Sequence, residues 1–246
     1  MTDKDLYKPA PSIIKDSHAN EEIYEKMYRE SISSPEEFWR YHGQRIDWIK
    51  PYTKVNNVSY KKEDLRINWY EDGTLNASFN CLDRHLKTKG KNTAIIWEGD
   101  NPNESKHISY NELYEDVCKF SNVLKNAGAK KGDRITIYMP MIPEATIAML
   151  ACTRIGAIHS VVFGGFSPDA LAGRIEDCNS TIIITADEGV RGGKSIPLKS
   201  NTDEAITKAK MCKTTIVVRR TGSKINWIDD QDIWYHEEME KASPNC

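Results

Sequence analysis

The feature that most restricts this chain is a succession of short apolar runs rich in isoleucine and valine. "TAIIWEG" (93–99), "RITIYMP" (134–140), "AIHSVVFGG" (157–165), "TIIITAD" (181–187) and "TTIVVRR" (214–220) each have the length of one strand. They run apolar without strict alternation, as strands covered on both faces do. Segments of helical period separate them, beginning near Ile108, Pro143, Ser167 and Thr202. Four helices alternating with five strands predict an α/β fold, mainly a parallel sheet with helices on both faces and right-handed crossovers. Ser109 stands three residues before Glu112, the capping-box spacing, and Gly128 falls where that helix should end. The helix over 144–155 is almost all Ala, Ile, Met and Leu and should be well buried.

Residues 1–75 read differently, as a helical and aromatic extension packed on a main α/β domain over 76–246. Ser34-Pro35-Glu36-Glu37 predicts a helix start: a hydroxyl cap, proline at the first position, then two acids at the positive end of the dipole. Phe38, Trp39 and Tyr41 would give that helix an aromatic face. Asp72-Gly73 predicts a turn, and Leu75, Phe79, Leu82 and Leu86 one face of an amphipathic helix.

With 36 acidic against 34 basic residues, the charge balance favours neither nucleic acid nor an anionic membrane surface as a partner. No apolar run approaches the roughly 18 residues of a membrane span, and the N-terminus lacks a secretory pattern. The six cysteines lie far apart and never as C-x-x-C, so reduced thiols in the cytoplasm are expected. The scattered histidines predict no metal site.

Ligands of open α/β sheets bind beyond the carboxyl ends of the strands. Two such ends hold candidates. Phe163, Gly164 and Gly165 close one strand, where glycine permits positive φ or close approach of a ligand to the main chain; a plain turn is the competing reading. After the next strand come Arg191, Gly192, Gly193 and Lys194, two cations flanking two glycines, a set suited to phosphate or pyrophosphate. A flexible solvated loop fits those four residues equally well. "GKS" at 193–195 is not a P-loop, because Glu188 stands where its first glycine belongs and Pro197 follows. "TGSK" at 221–224 predicts a turn. Asp229, Asp230 and Asp232 read as solvated acids.

"EEFWRYHGQRIDWIKPY", "WYEDGTLNASFNCLDRHL", "YMPMIPEATIAMLACTRIGAIHSVVFGGFSP" and "DEGVRGGKSIPLK" resemble the N-terminal part of the acetyl-coenzyme A synthetases, the AMP-forming acetate–CoA ligases of the adenylate-forming superfamily. The resemblance runs from about residue 20 to the end. It implies acetate, ATP and CoA as substrates, Mg2+ as the metal of ATP, and two half-reactions through acetyl-adenylate. It also implies that Arg191 to Lys194 contact the nucleotide end of CoA, with Phe163 to Gly165 along the same channel. The family often carries arginine where this chain has Lys194. A Ser/Thr/Gly-rich phosphate loop ending in a Pro-Lys-Gly-like sequence, which the family uses for ATP, has no match in these 246 residues. No catalytic residue is therefore expected within them, and no adenylation by them alone. A non-catalytic CoA- or nucleotide-binding module and an inactive truncated remnant stay open as alternatives.

Overall fold

The computed structural model describes residues 7–246. The chain divides into a first compact unit ending at Leu75 and a second over Asn76–Cys246. The first holds helices α1 (Pro11–Asp16), α2 (Glu21–Ser33) and α3 (Pro35–Gly43), and the antiparallel pair β1 (Asn56–Ser59) and β2 (Arg66–Trp69). Helix α3 starts where predicted, but Ser34 makes no side-chain cap bond; its backbone sits at φ −138°, ψ 59°. Trp39 packs edge-on against Trp69, whereas Tyr41 is largely exposed. Aromatic rings take the place of an aliphatic core: Trp48, Tyr52 and Tyr70 meet at centroid distances of 4.5 to 5.5 Å. Their polar ends are satisfied, Tyr52 donating to the Arg40 carbonyl and Trp48 to that of Gly43. In the Asp72-Gly73 turn, the Asp72 carboxylate accepts from Thr53 N–H, Thr53 hydroxyl and Lys54 N–H.

The second unit begins with α4 (Ala77–Cys81) and α5 (Leu86–Lys89), separated by a 3-10 turn over Asp83–His85. The expected continuous helix with Leu75, Phe79, Leu82 and Leu86 on one face is thus broken at Leu82 (φ −122°, ψ −69°). Tertiary anchors override the apolar period there. Leu82 is fully buried, while Asp83 takes both guanidinium nitrogens of Arg154 at 2.8 and 2.9 Å. Next come β3 (Thr93–Glu98), β4 (Ser105–Ser109), α6 (Tyr110–Asn126), β5 (Arg134–Met139), α7 (Pro143–Arg154), β6 (Ile158–Phe163), α8 (Pro168–Cys178), β7 (Ile182–Ala186), β8 (Gly189–Arg191), β9 (Lys194–Ile196), α9 (Leu198–Ala209), β10 (Thr214–Val218), β11 (Asp232–Trp234) and α10 (Tyr235–Lys241).

Five strands form a parallel sheet of order β11-β10-β7-β5-β6. The fold class is as the sequence implies, but one member differs. The run at 93–98 pairs antiparallel with β4 in a separate hairpin, and β11 supplies the fifth parallel strand. The buried strands β7 and β10 are held by apolar burial, with Ile183, Ile184, Ile216 and Val217 at zero exposure. Helix α6 carries the capping box: Ser109 Oγ accepts from Glu112 N–H and the Glu112 carboxylate from Ser109 N–H. Its buried face, with Leu113, Val117, Phe120 and Leu124, stabilises the unit by about 1.5–3 kcal/mol per side chain. As predicted, no residue of α7 is exposed.

Asp232 departs from its sequence reading. It is buried and pairs with the fully buried Lys199 at 2.8 Å; that ammonium also meets Asp203 at 2.6 Å and the Asn226 carbonyl at 3.1 Å. Asp229 and Asp230 are exposed. The strand order fixes where a ligand would lie. From β5 the chain crosses outward to β6 through α7, then returns past β5 to β7 through α8 and continues to β10 through α9. Right-handed crossovers in opposite directions put α7 on one face and α8 and α9 on the other. Between the carboxyl ends of β5 and β7 the chain therefore leaves in opposite directions. That crevice is the topological switch point.

Candidate functional site

A cavity of about 300 Å³ opens at this switch point. Its floor is Met139 to Ile142 after β5. One wall is Phe163 to Gly165 after β6, and another Gly189 to Arg191 after β7. The β3–β4 hairpin contributes Trp97 to Asp100, and Arg220 closes it from the end of β10.

The wall after β6 is positioned by the buried Tyr138, whose hydroxyl donates to the Phe166 carbonyl at 2.8 Å and accepts from Asn201 at 3.2 Å. Burial pushes that phenol above its ordinary pKa, so it stays a neutral donor. The Phe166 N–H donates back to the Phe163 carbonyl and closes the turn. A side chain at Gly165 would meet the Phe163 ring at 2.6 Å, which that half-exposed ring could relieve by turning, whereas one at Gly164 would meet the Met139 carbonyl at 3.1 Å; close approach, not positive φ, favours glycine here. Ser167 then caps α8, accepting from Ala170 N–H with Pro168 at the first helical position.

Arg191 to Lys194 do not form a loose loop. Strands β8 and β9 pair antiparallel as Gly189–Ile196, Val190–Ser195 and Arg191–Lys194. Gly192 and Gly193 form the two-residue turn at φ 58° and 71°, the left-handed region that type I′ hairpins demand and glycine supplies without strain. Gly193 N–H, which a bare glycine turn could otherwise offer to a phosphate, is taken by Asp100 Oδ2 at 3.2 Å. The Arg191 guanidinium lies 5.2 Å from the Phe163 ring centroid and makes no ion pair among the described residues. The structure thus brings Arg191, Phe163, Gly164 and Gly165 into one cavity. Lys194 and the two turn glycines stand outside its wall, exposed on the hairpin.

Four contributors, Trp97, Arg220, Asp100 and Asp187, were not read from the sequence. Trp97 lies under Arg220 (5.3 Å to the ring) and Lys106 (5.9 Å), and Arg220 is held by Glu104 at 2.7 Å. Asp100 lines the mouth. Asp187, 1% exposed, accepts from the N–H groups of Glu188, Arg220, Thr221 and Gly222 and so fixes the "TGSK" turn behind Arg220. A charged residue directly after a buried strand was the available signal for Asp187. Trp97 and Asp100 carried none, because their hairpin partner β4 reads as polar.

Among the described residues no group of three or more His, Cys, Asp or Glu side chains is placed to hold a metal ion. No helix among them is long and apolar enough to cross a membrane. All six cysteines are free, with Cys118 and Cys152 buried.

Residues 82–245 match the family model for AMP-binding enzymes, and residues 24–81 that for the acetyl-coenzyme A synthetase N-terminus. The acetyl-coenzyme A synthetase of Mesorhizobium japonicum is 58% identical over 250 residues, covering 100% of this chain and 38% of that protein. That of Agrobacterium fabrum is 63% identical over 229 residues, covering 92% and 35%. The chain thus spans little more than a third of the length of these relatives. The structure of acetoacetyl-CoA synthetase from Streptomyces lividans superposes with a TM-score of 0.79 at 20% identity, covering 93% of this chain and 34% of that one, which supports the fold. The chain belongs to the family of AMP-binding enzymes.

Proposed function

We propose that this chain is the coenzyme side of an AMP-forming acetate–CoA ligase. In that reaction acetate and ATP give acetyl-adenylate and pyrophosphate; the CoA thiol then attacks the acyl carbon and AMP leaves. The observation that carries the reading is the convergence of Arg191 and Phe163 to Gly165, from two separate strand ends, on one switch-point cavity. Arg191 offers planar donors to a phosphate, and among the described residues no carboxylate pairs with its cation. Lys194 stands across the hairpin from it, outside the cavity wall, and adds a second positive charge on the exposed hairpin. The bare backbone at Gly164 and Gly165 keeps that wall flat beside the Phe163 ring. A cavity of about 300 Å³ lies at the lower end of small-molecule sites, so it takes one end of CoA.

Among the described residues no carboxylate cluster is placed to hold magnesium. We assign adenylation to none of these 246 residues. Pyrophosphate release from acetate, ATP and Mg2+ by the purified chain should be nil, and a turnover signal would refute that assignment. Six free thiols support a reducing compartment, the cytoplasm. The direct test is calorimetric titration with CoA. The wild-type chain should bind, and Arg191→Ala should weaken binding about tenfold, the loss of one charge-assisted contact. Equal affinities would remove Arg191 from the site.

A further inference from the structure

Strands β8 and β9 have three residues each and, among the described residues, pair only with one another. The base of this hairpin is anchored, Gly189 being buried and Ile196 packed against the core, but an isolated hairpin of that size is marginal in water, so contacts made by its tip bear on where Arg191 sits. The tip has a side-chain tether in Asp100, whose Oδ2 accepts from Gly193 N–H at 3.2 Å. Asp100 lies on a better-braced turn. Gly99 N–H donates to the Glu104 carbonyl at 2.8 Å, Glu104 N–H to the Asn101 carbonyl at 2.8 Å, and Glu104 grips Arg220 at 2.7 Å. The two hairpin tips therefore face one another across the mouth of the cavity, joined by one bond from a braced turn to a weak one. Asp100 is also an acid beside a place read as an anion site, where its charge opposes the ligand. A carboxylate is tolerable there only if its hydrogen bond contributes more than its charge costs.

We infer that Asp100 is a positioning residue: it holds the β8–β9 turn so that Arg191 faces the cavity, without itself touching the ligand. This rests on the CoA reading above, and the experiment separates the two. Wild type, Asp100→Ala and Asp100→Asn are compared by calorimetric CoA titration and by NMR exchange of the Gly193 amide with solvent. The alanine variant loses the acceptor: Gly193 exchange should accelerate at least about threefold, and CoA affinity should fall about threefold to tenfold, the range of one lost hydrogen bond. The asparagine variant keeps an acceptor oxygen and drops the charge. It should restore slow exchange and bind CoA at least as tightly as wild type. In an Arg191→Ala background, Asp100→Ala should change CoA affinity less than twofold, because there is no guanidinium left to position. Unaltered Gly193 exchange in Asp100→Ala, or tighter CoA binding by that variant, overturns the inference. Failure of the wild-type chain to bind CoA overturns the functional reading instead, and the exchange data still decide whether Asp100 holds the turn.

Discussion

Removing the Asp187 carboxylate should destabilise the second unit more than any other single polar change at the carboxyl edge of the sheet. Its two oxygens accept from four backbone donors: Glu188 at 2.7 Å, Arg220 at 2.8 Å, Thr221 at 3.2 Å and Gly222 at 2.7 Å. Hydrogen bonds to a charged group contribute about 1.5–3 kcal/mol each, and a plain sum over four would reach about 6–12 kcal/mol. That sum is too large. Thr221 and Gly222 are exposed, so water replaces the carboxylate at those two donors in the variant. Glu188 and Arg220 are half-buried and are compensated less. Two such losses, partly relaxed, give about 3 kcal/mol for Asp187→Ala. Asp187→Asn keeps one acceptor but turns an amide donor toward N–H groups, which gives about 2 kcal/mol. Urea unfolding followed by circular dichroism measures both. With a slope of about 2 kcal/mol per molar urea, the alanine variant should lose about 1.5 M in midpoint at unchanged slope. A loss under about 0.5 kcal/mol would mean that the 220–222 turn stands without Asp187, and the reasoning would be wrong.

Three further outcomes follow from individual groups. The Thr53 hydroxyl, with the N–H groups of Thr53 and Lys54, holds the Asp72 carboxyl down to about 2 from an ordinary 3.8. Its contribution is complete above pH 3.8 and lost as pH falls through about 2, so wild-type stability of the first unit should drop in that window and Asp72→Asn should flatten it. Asp116 shifts oppositely: burial, with Glu115, Glu144 and Glu112 nearby, raises its pKa. Ionisation therefore costs stability as pH rises above the ordinary aspartate range, so Asp116→Asn should raise the melting temperature at pH 7 and not at pH 3; a lower melting temperature at pH 7 would contradict this. Lys194→Arg supplies a planar fork on the exposed side of the hairpin and should tighten CoA binding about two- to fivefold by calorimetry, whereas weaker binding would show that the lysine geometry is the fitted one.

How far the sequence could be read depends on how local each determinant is. Strands β5, β6, β7 and β10 declare themselves as continuous apolar runs, and helices α6, α7 and α8 through period and start signals, all short-range. Sheet membership is not short-range. "TAIIWE" is as apolar as its neighbours, and only pairing with the polar "SKHIS" shows that it leaves the parallel sheet. The three-residue β11 is too short for a period, and its placement depends on Lys199 reaching Asp232 across 33 residues of chain. At the site, seven candidates on two strand ends were legible because glycine and arginine at such ends are chemically unusual, and four of them, Phe163, Gly164, Gly165 and Arg191, line the cavity. The hairpin form of 189–196 was not, since two adjacent glycines suit a free loop as well as a type I′ turn. Trp97, Asp100 and Arg220 enter the cavity from elements remote in sequence, and no local pattern could gather them.

The most direct test of the central claim is hydrogen–deuterium exchange of the whole chain with and without saturating CoA. The account predicts slower exchange at two separated segments, 163–166 and 189–196, which share one cavity only in the folded sheet. Protection confined to other segments, or none at all, would contradict it.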